Sequence, residues 1–262
     1  MATQNALQFS QPELLHLFDG DVSKIDDENE PTVPSNILDL PSAWRQRYTD
    51  LQLLSYEYHE VLMRFAIAVA RREGDTAGHI ARMGLLSAHL ALAFKADRDF
   101  ADLIRFASPL HDIGKIDLPD AIIGKQEALT GEEWEAIRRH PQIGAQMLDA
   151  ANVPLLRLAA EIALSHHEKF DGSGYPQGLA RTAIPLSGRI VAVIDFFDAL
   201  TNDRIYRNAL PDAEVLDMIV AESGKHFDPD IIRAFLGVKD SLIAERDRIN
   251  AQDVHLDELV RR

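Results

Sequence analysis

The sequence predicts an all-α protein, a bundle of many helices, and three observations support this. Apolar residues recur at steps of three and four through most of the chain beyond residue 40, whereas alternating strand patterns are nearly absent. Helix-start signals are frequent, including a capping box at Thr130 and Glu133 and a proline, Pro141, suited to a first helical turn. The hydrophobic fraction of 46% is ordinary for a chain of 262 residues with a sizeable core.

The individual helices follow from this periodicity and from their flanking residues. Asp75 and Thr76 can cap the first helix of the main domain. Two longer connections, at 113–129 and 168–184, interrupt the series, and long irregular loops inside a helical domain are usually functional. The predicted helices are 75–94, 99–110, one beginning after Thr130, one beginning near Pro141, 155–166, 185–201, 212–224 and 228–235.

The residues before the main domain differ from it in composition. Residues 19–36 are rich in Asp, Glu, Ser and Pro, so residues 1–40 are predicted to form a flexible arm or linker. Residues 41–73 are predicted to form one long connecting helix, because an apolar stripe runs along residues 44–69. This stripe either forms a homodimer in the manner of a coiled coil or packs on its own domain, and the sequence leaves both open.

The charge balance and the lack of cysteine restrict the classes of function. Asp and Glu number 42 against 27 Lys and Arg, a net charge of −15, which disfavours binding to a nucleic-acid polymer. A small anionic substrate is still compatible, because bound cations can reverse the potential locally. Cysteine is absent, so any metal must be held by His, Asp and Glu.

The hydrophobic runs and the N-terminus bear on where in the cell the protein is located. No apolar run approaches the roughly 18–20 residues that a membrane-spanning helix needs. The first ten residues lack the charged-then-apolar pattern of a signal peptide. We therefore expect a cytoplasmic protein without membrane insertion.

Seven residues stand out as candidate metal ligands. Apart from two adjacent pairs, successive candidates are separated by 26 to 32 residues, which fits one helix out and back, so the side chains can converge at one end of a bundle. Imidazole and carboxylate without sulfur suit Fe, Mn, Zn or Ni. Adjacent His-Asp and His-His pairs allow two neighbouring ions to share a bridging carboxylate and a bridging hydroxide that attacks phosphorus. The candidates are His79, His111, Asp112, His140, His166, His167 and Asp195.

Three runs of sequence carry a family resemblance. Residues 111–115 read HDIGK, residues 166–179 read HHEKFDGSGYPQGL, and residues 195–207 read DFFDALTNDRIYR. With His79 before them and His140 between the first two, these runs resemble the HD-GYP family of bacterial cyclic di-GMP phosphodiesterases, a branch of the HD hydrolase superfamily. The likeness covers roughly residues 66–236 and implies an HD-type bundle.

The resemblance also implies a role for each site residue. The seven candidates would be ligands of two divalent ions, Fe or Mn by expectation, with Zn or Ni as alternatives. Asp112 would bridge the ions, and Lys115 would stabilise the scissile phosphate or protonate the leaving oxygen. Arg204 and Arg207 would face the phosphates of cyclic di-GMP. The triplet Gly174, Tyr175 and Pro176 would shape the substrate-side loop and is implicated in contacts with GGDEF-domain proteins.

The sequence departs from the family pattern at two positions. Family members that hold three metals carry Glu four residues before the first His, whereas this chain has Asp75, whose side chain is shorter. This difference favours two ions and leaves a third ion open. Arg207 stands where many members have Lys, and it keeps the charge.

The domain prediction and the functional hypotheses follow from these observations. The preferred function is hydrolysis of cyclic di-GMP to pGpG, and the sequence leaves open whether hydrolysis continues to GMP. Alternatives are an HD phosphohydrolase of another nucleotide, and a cyclic di-GMP signalling or binding scaffold. Asp171 and Asp198 either accept hydrogen bonds that orient ligand imidazoles or serve as turn and cap residues. The predicted segments are an arm at 1–40, a connecting helix at 41–73, an HD-GYP catalytic domain at 74–238 and a helical tail at 239–262.

Overall fold

Ten helices and three short 3₁₀ segments make up the regular structure of the part of the chain described by the computed structural model, which comprises residues 61–72, 76–123, 125, 127–149, 153–203 and 207–251. Across these ranges no strand occurs, and an isolated bridge joins Ser223 to Phe227. The all-α prediction is confirmed. The helices are α1 (residues 61–72), α2 (Ala77–Ala93), α3 (Arg98–Ala107), α4 (Asp120–Ile123), α5 (Gly131–Ile137), α6 (His140–Leu148), α7 (Pro154–Ser165), α8 (Leu186–Thr201), α9 (Asp212–Ala221) and α10 (Pro229–Ala251), and the 3₁₀ segments are Ser108–Leu110, Ile113–Asp117 and Arg181–Ala183.

The predicted helix starts are confirmed by their capping contacts. Thr76 caps α2 by accepting from the amide of His79. Thr130 and Glu133 form the reciprocal capping box of α5, and Pro141 lies in the first turn of α6. Helix α10 continues well beyond residue 235, and the predicted boundary between residues 238 and 239 falls inside it. The arm at 1–40 and the connecting helix before residue 61 lie outside the described residues.

Helices α2 and α8 form the centre of the core. Both are apolar on most of their circumference, the pattern of a helix surrounded by others, and Leu86, Leu90, Ile190 and Phe197 are fully buried. Helix α2 packs against α3, α8 and α10, while α7 packs against α3, α6 and α8. No helix in the described ranges has both the length and the apolar character needed to span a bilayer.

A backbone contact between two glycines sets the position of the 3₁₀ segment Ile113–Asp117 on α6. A Cβ atom added at Gly114 would lie 2.1 Å from the carbonyl oxygen of His140 and 2.4 Å from the amide nitrogen of Gly144. Only a residue without a side chain allows the two backbones to approach this closely. The contact brings the residues that follow α3 next to the N-terminal end of α6.

Arg72, at the end of α1, holds the chain that follows this segment. Its guanidinium donates to the carbonyl oxygens of Ile116 and Leu118, both at 2.8 Å, and to the carboxylate of Asp120 at 2.6 Å. Planar guanidinium groups suit such multiple contacts. Helix α1 is thereby tied to residues 115–120.

We predict that Gly114→Ala destabilises the fold and disturbs the neighbouring end of α6. Overpacking at a tight backbone contact costs roughly 1–3 kcal/mol, because α6 must move to admit the methyl group. The free energy of unfolding, measured by urea denaturation, checks this.

Gly237→Ala is the matched control. A Cβ at this helical position meets nothing within 4 Å, so alanine should stabilise α10 by about 0.5–1 kcal/mol. An unchanged midpoint for Gly114→Ala would contradict the tight contact.

Candidate metal centre

The fold brings all seven ligand candidates together in two neighbouring groups. His79 lies in the first turn of α2, and Asp195 lies in the middle of α8. The other five lie at helix ends, where the chain turns. These are the pair His111 and Asp112 after the segment Ser108–Leu110, His140 at the start of α6, and the pair His166 and His167 after α7.

Four of these residues form a group that we name the first cluster: Asp112, His140, His166 and His167. One potential ligand atom from each lies within 4.8 Å of all the others. Oδ1 of Asp112 is 3.1 Å from Nε2 of His140 and 3.5 Å from Nε2 of His166. The His166 and His167 rings are in contact, with centroids 4.0 Å apart.

The remaining three residues form the second cluster: His79, His111 and Asp195, again with ligand atoms within 4.8 Å of one another. Nε2 of His111 is 3.8 Å from Oδ1 of Asp195. Nε2 of His111 is also 3.1 Å from Oδ2 of Asp112. The carboxylate of Asp112 therefore lies between the clusters, with one oxygen directed to each.

Backbone and side-chain acceptors fix the orientation of four of the imidazoles. Nδ1 of His111 lies 2.9 Å from the Ser108 carbonyl oxygen, and Nδ1 of His140 lies 2.7 Å from that of Ile137. Nδ1 of His166 contacts the Ala163 carbonyl oxygen at 3.0 Å. Nδ1 of His79 contacts the carboxylate of Asp198 at 2.7 Å. Because these oxygens only accept, each Nδ1 carries the proton, and in the neutral ring Nε2 keeps its lone pair.

The donor set fits divalent cations. Nε2 of His111 and Oδ1 of Asp112 are buried and have no hydrogen-bond partner. Nε2 of His140 lies only 3.1 Å from this Oδ1, but the angles of the contact are not those of a hydrogen bond. Nε2 of His140 and Nε2 of His166 face each other at 3.4 Å. Lone pairs that converge in a buried space repel one another, and orphaned polar atoms there are costly. A cation at each cluster removes both costs.

The pKa shifts of the cluster residues also indicate that the carboxylates favour positive charge close to them. Burial lowers the pKa of His140. Burial and the charge of a protonated His166 lower the pKa of His167 well below its usual value. Both rings are therefore neutral. Burial would also lower the pKa of His111, but the carboxylates of Asp112 and Asp195 overcome it and raise the value to about 9. Burial opposes ionisation of Asp112, yet Lys115 and His111 hold its pKa well below the usual range.

Access to the centre is from the carboxylate side. The exposed fractions of His79, His111, His140 and His166 are 4%, 1%, 0% and 2%. The side chains of Asp112 and Asp195 are 22% and 25% exposed. Lys115 lies at this opening, with Nζ 2.7 Å from Oδ2 of Asp112. A bound anion would therefore meet the carboxylates and Lys115 first.

The loop at 168–184 borders the first cluster. Glu168, whose role the sequence did not predict, is buried and accepts from the amides of Gln177 at 2.7 Å and Leu179 at 2.9 Å. Its position directly after the His-His pair was the available signal. Gly174 is required because a Cβ there would lie 2.3 Å from the amide nitrogen of Lys169. Tyr175 and Pro176 follow, joined by a cis peptide bond.

Tyr175 contacts both a ligand candidate and a cation. Its ring stacks on His167, with centroids 4.8 Å apart and planes at 26°. The guanidinium of Arg138 also lies over the Tyr175 ring, 4.8 Å from its centroid. Burial raises the pKa of Tyr175 to about 12, so its hydroxyl keeps its proton. Arg138 was not predicted, since nothing in its local sequence connects it to residue 175.

The structure distinguishes the two aspartates whose roles the sequence left open. Asp171 accepts from the amide and the hydroxyl of Ser173, at 2.9 and 2.6 Å, which makes it a turn residue. Asp198 is buried and accepts from His79 and from Arg82. Burial opposes its ionisation, but Arg82 and His79 hold the pKa of Asp198 below its usual range.

Three predicted residues are not part of the observed convergence. The guanidinium of Arg207 donates to the carbonyl oxygens of Ala199, Leu200 and Asn208, at the C-terminal end of α8. Arg204 and Asp75 lie outside the described residues.

The comparison with protein families matches residues 65–231 to the HD domain. A cyclic di-GMP phosphodiesterase of Thermotoga maritima is 43% identical over 189 residues, which cover 72% of this chain and 50% of the relative. The 3'3'-cGAMP-specific phosphodiesterase 2 of Vibrio cholerae is 39% identical over 187 residues, which cover 71% of this chain and 36% of the relative. The chain thus spans half or less of the length of these relatives.

A solved structure shares the fold. The cyclic GMP-AMP specific phosphodiesterase of V. cholerae superposes with a TM-score of 0.55 and 17% sequence identity, over 73% of this chain and 52% of that one. At this identity the likeness concerns the fold alone. The resemblance predicted from the three sequence runs is confirmed by the family match and by the relatives. The chain belongs to the HD domain family, in its HD-GYP branch.

Proposed function

We propose that this chain is a metal-dependent phosphodiesterase that hydrolyses cyclic di-GMP to linear pGpG and onward to GMP. One observation carries the proposal: the carboxylate of Asp112 directs one oxygen to the first cluster and the other to the second. An HD domain implies dependence on divalent metal. Two adjacent cations form the arrangement that phosphate-ester hydrolysis uses.

The proposed centre holds two ions, one at each cluster, with Asp112 shared between them. Fe or Mn are the preferred ions and Zn or Ni the alternatives, because the donors are imidazole and carboxylate. When bound, such ions would supply polarisation of the phosphate and activation of water for in-line displacement. A third ion would need Asp75, and this stays a prediction. The proposed ligands are His79, His111, Asp112, His140, His166, His167 and Asp195.

The other residues of the proposed site bind and orient the substrate. Lys115 holds a proton at Nζ beside Asp112, where the ammonium can stabilise the scissile phosphate or protonate the leaving oxygen. The Gly174, Tyr175 and Pro176 triplet is proposed to line the substrate side of the site, which the stacking of Tyr175 on His167 supports. Arg204 and Arg207 stay proposed phosphate ligands. We add Arg138, whose guanidinium gives this side of the site a charge that suits a phosphate or a guanine base.

A second candidate substrate is a different cyclic dinucleotide. The V. cholerae relative at 39% identity is named for 3'3'-cGAMP. The T. maritima relative at 43% identity is named for cyclic di-GMP, which favours the preferred substrate. Cyclic di-GMP and 3'3'-cGAMP differ in one purine base. An enzyme that distinguishes them must therefore contact the bases and not only the phosphates.

Partners and location complete the proposal. GGDEF-domain proteins are proposed partners of the 168–184 loop, and a homodimer is proposed through residues 44–69. We also propose a cytoplasmic location for the protein. The proposed domain organisation, as in the sequence analysis, has an arm at 1–40 and a catalytic domain at 74–238. Helix α1 lies close enough to the centre to transmit a signal, because its Ala66, Val69 and Ala70 line one recess with His79 and His111.

We expect metal-reconstituted protein to hydrolyse cyclic di-GMP faster than 3'3'-cGAMP, with pGpG as the first product. Asp112→Ala should reduce turnover to background, because the shared carboxylate is lost. Chromatographic product analysis on a panel of both nucleotides and pGpG measures this. Turnover that survives Asp112→Ala contradicts the proposed chemistry, and a cellular phenotype that survives it favours the scaffold alternative.

His167→Gln should weaken metal binding at the first cluster by at least about 100-fold, since loss of supporting groups alone costs 10–100-fold. Metal content after dialysis and turnover should fall together. His226→Gln is the control: burial lowers the pKa of His226 to about 4, so this ring is also neutral, but it belongs to neither cluster. Full metal content in His167→Gln would remove this residue from the ligand set.

Arg138→Gln should raise KM for cyclic di-GMP roughly tenfold, with kcat and metal content unchanged, because one charge-assisted contact is lost. The adjacent Arg139→Gln removes the same charge without the stack on Tyr175 and should leave KM near the wild-type value. Equal effects of the two substitutions would show that only the general field of the surface matters.

A further inference from the structure

A buried ion pair lies directly behind the second cluster. His79 and Arg82 are three residues apart on α2, and Asp195 and Asp198 are three residues apart on α8. Residues at this spacing share one face of a helix. The first residue of each pair belongs to the second cluster, and the second residues, Arg82 and Asp198, form an ion pair beneath it.

The contacts of Asp198 join this ion pair to the ligand candidate His79. Oδ2 of Asp198 lies 2.7 Å from Nδ1 of His79, while Oδ1 accepts from Nε of Arg82 and Oδ2 also from its Nη2 at 3.1 Å. The exposed fractions of Asp198 and Arg82 are 1% and 6%. Both oxygens of the carboxylate are therefore committed in a space that solvent does not reach.

His79 is anchored differently from the other oriented imidazoles. His111, His140 and His166 each hold Nδ1 against the carbonyl oxygen three residues earlier in the chain. Those anchors are local backbone and follow from the helix ends themselves. The anchor of His79 is a charged side chain from another helix, 119 residues later in the sequence. A substitution can remove this anchor and leave the others unchanged.

The ion pair extends to the last turn of α10. Nη1 of Arg82 donates to Oδ1 of Asn250 at 2.8 Å, and the amide of Asn250 donates to Asn202 at 2.8 Å. The side chain of Asn202 returns to the backbone oxygen of Asp198 at 2.9 Å. These contacts hold Arg82 and Asp198 in one geometry from the far side.

We propose that Asp198, held in place by Arg82, is the positioning residue for His79 and thereby controls ion occupancy at the second cluster but not at the first. The inference rests on the proposed two-ion centre. A ligand imidazole commonly donates its other ring N–H to a carboxylate, which fixes the tautomer and raises the basicity of the ligand nitrogen.

The substitution Asp198→Asn separates this role from simple filling of space. Oδ1 of Asp198 faces two groups that can only donate, Nε of Arg82 and the side-chain amide of Asn202 at 3.2 Å, so the new amide keeps its oxygen there and turns its NH₂ group to His79. Nδ1 of His79 must then accept, and its proton moves to Nε2. A metal ion can then bind Nε2 only if the proton returns to Nδ1 and the hydrogen bond from the new amide is given up. The shape of the site is kept while metal binding by His79 is weakened.

The experiment titrates the metal-free full chain with Mn²⁺ alone and counts bound ions by electron paramagnetic resonance of the free ion. Wild-type protein should bind two ions. Asp198→Asn should bind one with wild-type affinity and the second about 10–100-fold more weakly. Nitrogen-15 NMR of the histidines in the metal-free proteins should show the His79 proton on Nδ1 in the wild type and on Nε2 in the variant.

Asp228→Asn is the matched control for the loss of a buried ion pair. Asp228 pairs with Arg189 of α8 at 2.5 Å, with exposed side-chain fractions of 5% and 13%, and neither residue belongs to a cluster. This variant should lose stability yet bind both ions as the wild type does. If Asp198→Asn fails to fold, Arg82→Lys replaces it. A lysine contacts Asp198 at a single point, so the second ion should again bind about tenfold more weakly.

The outcomes separate this inference from the proposed function. Wild-type protein that binds fewer than two ions contradicts the two-ion centre itself. If the wild type binds two ions and the Asp198→Asn variant also holds both tightly, or loses both in parallel, the positioning role is wrong. Loss of the second ion with the His79 proton still on Nδ1 overturns the tautomer argument.

Discussion

The carboxylate of Asp112 is the constraint on which the rest of the site depends. Its oxygens face different groups of imidazoles at 3.1 Å, and Oδ1 is buried without a hydrogen bond. A carboxylate in this position is costly unless positive charge is supplied from both sides. Lys115 supplies part of this charge at one oxygen. The proposed pair of cations supplies the rest, and this need explains why the fold assembles imidazoles around an acid.

The architecture meets this need chiefly through helix ends. Five of the seven ligand candidates lie where a helix begins or ends, and local carbonyl oxygens orient three of their rings. The close backbone contact at Gly114 and Gly144 fixes the distance between the His111 and Asp112 pair and His140. Arg72 then ties α1 to the adjoining segment. A displacement of α1 would therefore shift the backbone at Lys115, whose carbonyl oxygen Arg72 also contacts.

The sequence predicts those parts of the structure that depend on residues close together in the chain. The capping box at Thr130, the proline start of α6 and the His-Asp and His-His pairs each lie within a few residues, and all were identified. The sequence predicts a helix at 228–235 and a separate helical tail from residue 239, whereas one helix, α10, runs through both. It continues beyond residue 235 because Leu242 and Ile249 bury their side chains.

The partition of the ligands into two clusters depends on contacts across more than a hundred residues, which no local pattern encodes. Asp171 and Asp198 illustrate the limit. Both follow aromatic residues near candidate ligands in the sequence, yet one closes a turn and the other supports His79. Arg138 and Tyr175 likewise meet only in three dimensions.

Crystals of the protein loaded with Fe or Mn, with anomalous diffraction data collected at the absorption edge of the metal, test the central claim most directly. The account predicts two anomalous peaks about 3.5–4 Å apart, one at each cluster, with an oxygen of Asp112 bound to each. A single peak, or peaks away from Asp112, would contradict it.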